Sequence, residues 1–120
     1  MPDPDSPGPL RSDLADSPEM ADLIGIFLAE LPARVNGLVT AYNAGDADTL
    51  KRLTHQIKGS AGGFGFQIVG DAADRVEAAL KASANPQDAL SSISAEFREL
   101  VELCHRATAG SGLPVERPRF

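Results

Sequence analysis

Apolar residues in the middle of this chain recur every three or four positions, the spacing that gathers them on one face of a helix. Ser17, Pro18 and Glu19 predict a helix start: a hydroxyl cap, proline at the first helical position and an acid in the first turn. From there Met20, Leu23, Phe27, Leu31, Val35, Leu38 and Tyr42 form a stripe that runs straight through Pro32. The chain must either kink at Pro32 or begin a new helix on the same face. Gly45 ends that stretch and Asp46 can cap the next, which carries Leu50, Leu53, Ile57, Ala61 and Phe64. A third helix is predicted from about Phe66 to Ala82, with Ile68, Val69, Ala72, Val76 and Leu80 inward. A fourth starts near Pro86 and presents Leu90, Ile93, Phe97, Leu100 and Cys104. No segment alternates as a strand would, and no internal repeat is visible. The predicted fold is all-α: an antiparallel up-down four-helix bundle with an additional short N-terminal helix or a kink at Pro32. Ala72-Ala73 and Ala78-Ala79 are small enough to let helices approach closely.

Residues 1–17 contain four prolines and four aspartates but few apolar side chains, which predicts a disordered tail. Residues 18–108 form the bundle, and 109–120, opening on Ala109-Gly110-Ser111-Gly112, form a second, flexible tail. A chain that opens on Met1 and closes in a loose tail reads as a free-standing protein, with a monomer as its expected state. The balance of 11 basic against 17 acidic side chains, a net charge of −6, argues against a nucleic-acid binder. No apolar run approaches the roughly 18–20 residues that span a bilayer, and the N-terminus lacks the basic start and apolar stretch of a signal peptide. No membrane association and a cytoplasmic location are therefore expected. Cys104 has no partner for an internal disulfide, and His55 and His105 are too far apart in sequence to suggest a zinc set.

The second helix departs from this generic picture. On a helical wheel of about 100° per residue, Leu50, Leu53, Ile57, Ala61 and Phe64 share a narrow arc, and His55 lies roughly 150° from its centre. His55 should thus face solvent, with Gly59 and Gly62 one and two turns on and Lys51 and Lys58 flanking. Two glycines inside a helix cost about 1 kcal/mol each relative to alanine. What they supply is bare backbone beside the imidazole, where another molecule can approach. Charge agrees: from Thr49 to Gly70 there is no acid, while Lys51, Arg52 and Lys58 surround His55. An exposed imidazole is largely neutral and nucleophilic at physiological pH, and a lysine one turn away can neutralise a phosphoryl group placed on it. That chemistry is covalent carriage of phosphoryl on His55. A plainer reading makes Gly59 a C-cap and the cations a response to the helix dipole. Against it, the core stripe continues in phase from Ala61 to Phe64.

His55-Gln56-Ile57-Lys58-Gly59-Ser60, followed by Gly62 and Gly65, resembles the signature of histidine-containing phosphotransfer (HPt) domains, the four-helix intermediates of multistep phosphorelays. The resemblance covers about residues 20–108, including Arg75-Val76-Glu77-Ala78-Ala79-Leu80 after the motif. It implies that His55 accepts phosphate on Nε2, that Lys58 stabilises it, and that Gly59 leaves room for a partner, with Lys51, Gln56 and Gly62 in support. It implies as partners the receiver domains of response regulators and a hybrid or sensor histidine kinase. No cofactor is expected in this chain, Mg²⁺ belonging to the receiver. Thr54 departs from the family, which usually has a small apolar residue there. With no P-loop and no Gly-rich kinase loop, the chain is expected to be a carrier, not an enzyme. The alternatives are an interaction module that binds receivers or kinases without carrying phosphate, and a hydrolase with His55 as general base.

The remaining candidates have plainer roles. His105 is expected at the surface or answering the helix dipole, and Cys104 as a buried core thiol. Phe64 and Phe66 are expected in the core, one of them partly exposed as a docking contact. Asp71, Asp74 and Glu77 are expected to form a solvated acidic face.

Overall fold

Four helices account for most of the chain in the computed structural model, which describes residues 10–82, 90 and 92–109. They are α1 (Pro18–Ala44), α2 (Ala47–Gly63), α3 (Gln67–Ala82) and α4 (Ser94–Ala109), with no strand among the described residues. Each packs on its chain neighbours, and α1 closes the ring against α4. The α2–α3 contacts pair residues in opposite order along the two helices: His55 with Glu77, Lys58 with Asp74, and the backbone at Gly62 with Gly70. Short connections make such antiparallel neighbours, as expected of an up-down bundle.

Local chemistry accounts for most helix ends. Pro18 opens α1 with Glu19 in the first turn, although the Ser17 side chain makes no cap hydrogen bond. Helix α1 runs unbroken through Pro32, so a separate N-terminal helix is not formed. Gly45 ends it at φ +71°, and the Asp46 carboxylate accepts from the Thr49 amide at 3.1 Å to start α2. Helix α4 begins at Ser94; the expected start near Pro86 lies outside the described residues.

Leu31, Leu38, Leu50, Ile57, Val76, Leu80, Phe97 and Leu100 are fully buried, and each such side chain stabilises the fold by about 1.5–3 kcal/mol. Tyr42 stacks on Phe97 with ring centroids 4.3 Å apart. Cys104 is fully buried as expected, and burial pushes its thiol up to about 12. Three expectations about the core fail. Leu23 and Ile68 are about half exposed, while Ile24, Leu28 and Val39 face inward. His105 is buried, so its surface reading fails although it does lie near the C-terminal end of α4, which is covered nearly all round. Of the alanine pairs, Ala72-Ala73 is buried but Ala78 is exposed, and the close approach of α2 and α3 is made at Gly70. A Cβ there would stand 3.4 Å from Lys58 O and 3.5 Å from Gly62 N.

Of the two expected tails, residues 1–9 and 110–120 lie outside the described residues, while residues 10–17 pack on the bundle. Leu10 donates its amide to Arg106 O and Asp13 to Gly65 O, both at 2.9 Å. The buried Ser12 hydroxyl donates to Phe64 O at 2.5 Å. Residues 10–17 thus strap the α2–α3 turn to the end of α4. Helix α1 has 27 residues against 17 in α2, and the Phe27–Phe64 stack sets the end of α2 opposite the tenth residue of α1. The strap lies over what projects beyond: Leu10 and Ala15 line one hollow with Ile24, Leu28 and Phe66. By length and mean hydropathy (1.4) α1 would suit a membrane span, contrary to the sequence expectation; eight of its residues pack into the bundle core instead.

Candidate functional site

Position 55 falls on the outer face of α2 because Leu50, Thr54, Ile57 and Ala61 turn the opposite face inward. Thr54 is fully buried, and its hydroxyl donates to Leu50 O at 2.7 Å. The hydroxyl is thereby satisfied within its own helix, so threonine serves where a small apolar residue would. The His55 side chain is 68% exposed, as the wheel requires.

The ring is not free to turn. His55 Nδ1 lies 2.7 Å from Glu77 Oε2 on α3. Burial pushes the Glu77 carboxyl up, but hydrogen bonds from His55, Lys58 and Lys81 outweigh it and hold the group below the usual carboxylate range. An ionised carboxylate can only accept, so Nδ1 carries a proton, and in the neutral ring Nε2 is left with its lone pair. Glu77 is only 3% exposed, which corrects its expected place on a solvated face; Asp71 and Asp74 are exposed as expected. The acid-free stretch around His55 therefore meets carboxylates from the neighbouring helix.

Glu77 was missed because an acid spaced three residues from Asp74 reads as surface. The signal lay in the stripe Gly70, Ala73, Glu77 at i, i+3 and i+7: two small residues mark the face of α3 that abuts α2, and Glu77 continues it.

Lys58 reaches across to the same helix. Its Nζ lies 2.8 Å from Asp74 Oδ1 and 3.3 Å from Glu77 Oε1, and these bonds, Asp74 first, raise its pKa. Lys81 Nζ, also on α3, lies 3.3 Å from Glu77 Oε1. A hollow of about 500 Å³ opens at His55, lined also by Asp48, Lys51, Arg52, Gln56, Glu77 and Lys81. Lys51 is half-buried there and Gln56 exposed.

The two glycines after the histidine differ from one another. Gly59 lies inside α2 and is exposed, which removes the reading of it as a C-cap, and a Cβ built on it meets nothing within 4 Å. Gly62 is half-buried, and its added Cβ would touch the Gln67 side chain at 3.5 Å, so it borders α3 and not open solvent. Gly65, further on, is left-handed at φ +83°, and a Cβ there would run into Ser12 Oγ. Phe66 is buried and Phe64 half-buried, both stacked on Phe27.

The arrangement is a convex helix face bearing one oriented imidazole, open backbone beside it and cations around it. No curated protein and no solved structure matches the chain. A family model described as the Hpt domain matches residues 22–107. That span takes in nearly all of the bundle, from the first turns of α1 to the last turn of α4, and the chain belongs to the Hpt domain family.

Proposed function

We propose that this protein is a phosphorelay intermediate that accepts a phosphoryl group on His55 Nε2 and donates it again. Its partners in this reading are the aspartates of response-regulator receiver domains, with a hybrid or sensor histidine kinase upstream. The observation that carries the reading is the Nδ1–Glu77 bond on an otherwise exposed histidine, because it leaves one nitrogen both nucleophilic and accessible.

The chemistry follows from that bond. Nε2 attacks the phosphorus of an aspartyl phosphate in line; the P–N bond forms, the P–O bond breaks, and the carboxylate leaves. The proton stays on Nδ1, so the ring becomes cationic as the phosphoryl group arrives. Glu77 offsets that new charge from 2.7 Å without having to move. Transfer of this kind depends mainly on positioning and charge neutralisation, and the protein supplies a fixed nucleophile, cations and a clear approach over Gly59. The remaining groups, including the receiver's Mg²⁺, belong to the partner, so the chain acts as a carrier without catalysis of its own. Lys58 and Lys51 serve as the neutralising cations.

The test is phosphoryl transfer from a phosphorylated receiver domain to the wild type and to His55→Gln. An acid-labile, base-stable label on the wild type and none on the variant is the expected result. Receivers that bind the wild type yet never label it would replace the carrier with an interaction module.

A further inference from the structure

A cation meant to meet a phosphoryl group is, in this structure, already engaged. Lys58 Nζ is shared between Asp74 Oδ1 at 2.8 Å and Glu77 Oε1 at 3.3 Å. The two carboxylates have different obligations. Glu77 is buried and also holds His55 and Lys81, so it cannot let go of Lys58 by moving without disturbing the imidazole. Asp74 is half exposed, stands one turn earlier on α3, and makes the shorter contact with Lys58. Lys58 is itself 39% exposed and lies one turn after His55, so its flexible stem can reach toward either the α3 carboxylates or the ring.

The geometry points to Asp74 as a positioning residue for phosphoryl carriage: it holds Lys58 against α3 and competes with the His55-bound phosphoryl group for the same ammonium. This inference rests on the carrier reading above and deepens it. Before transfer, Lys58 is drawn to the acidic side of the imidazole and Nε2 stands clear. After transfer, a phosphoryl group with up to two negative charges draws Lys58 away from Asp74, its shorter contact, and from Glu77, which keeps its hold on Nδ1. The strength of the Asp74–Lys58 pair then sets how firmly the phosphoryl group is retained. A weaker pair leaves Lys58 with the phosphohistidine; a stronger one returns it to α3 and favours donation.

The experiment follows the lifetime of the phosphorylated protein, its ³¹P shift, and its exchange equilibrium with one receiver domain. The proteins compared are the wild type, Asp74→Asn, Asp74→Glu, Lys58→Ala and the Asn/Ala double variant. Releasing one partly exposed ion pair should lengthen the phosphohistidine lifetime of Asp74→Asn by about two- to fivefold and move its ³¹P shift. Asp74→Glu should restore the wild-type values, and the double variant should match Lys58→Ala alone. An Asp74→Asn lifetime equal to the wild type overturns the inference, as does an effect that persists when Lys58 is absent. A wild type that takes no label at all overturns the carrier reading together with this one. The ¹⁵N titration of Lys58 Nζ in unphosphorylated protein separates the two: it should fall in Asp74→Asn, and an unmoved titration overturns the inference by itself.

Discussion

A neutral imidazole can hold its proton on either nitrogen, and the carboxylate 2.7 Å from Nδ1 decides the matter for His55. Glu77→Ala should return the ring to a mixture of tautomers, visible as a change in its ¹⁵N shifts, and slow transfer by about ten- to a hundredfold, the range for removing a histidine's outer partner. Unchanged shifts would show that the bond does not orient the ring in solution. His55 and its exposure were legible in the sequence, since the wheel needs only the apolar stripe of α2. The Glu77 contact was not, because it depends on how far α3 is rotated against α2. Helical spacing ranks positions around one axis and leaves open which flank of the core a neighbour covers. Lys58 shows the same limit: its place beside His55 was readable along α2, whereas the Asp74 and Glu77 oxygens that engage it come from another helix.

Element boundaries were written in residues whose backbone demands are local. Gly45 and Asp46 marked the α1–α2 junction, and the continuation of the stripe through Ala61 carried α2 past Gly59. Gly59→Ala should therefore stabilise the protein by about 1 kcal/mol through helix propensity, in urea unfolding, while transfer slows because a methyl group now projects into the approach. Gly65→Ala should do the opposite: left-handed backbone and the Ser12 hydroxyl both oppose a Cβ, and the loss should be about 2 kcal/mol or more. Equal effects of the two substitutions would contradict these separate roles. The strap at residues 10–17 was illegible for a definite reason. Its attachments are backbone bonds at Leu10 and Asp13 and one serine hydroxyl, none of which leaves an apolar period in the sequence. Leu23 and Ile68 failed as core residues because they lie on the outer faces of their helices, beside the buried Ile24 and Val69.

Across the described residues, the number of helices, their order and most of the positions each buries could be read from the spacing of apolar residues, because a helical bundle has few ways to pack. Stability and site are joined through Glu77. Its folded carboxyl titrates below its ordinary value of 4.5, so its contribution is complete above that value and is lost as pH falls through the lower folded value. Stability of the wild type measured by urea unfolding should drop on acidification below 4.5, and Glu77→Gln should show a shallower drop over the same range. Identical slopes would mean the carboxylate hub does not couple folding to charge. In the proposed carrier the same hub selects the ring nitrogen that takes the phosphoryl group, which is the central claim. The direct measurement is two-dimensional ¹H–³¹P and ¹H–¹⁵N NMR of the phosphorylated protein, to identify the ring nitrogen bonded to phosphorus. The account predicts phosphorus on His55 Nε2 with a proton retained on Nδ1; phosphorus on Nδ1, or on His105, would contradict it.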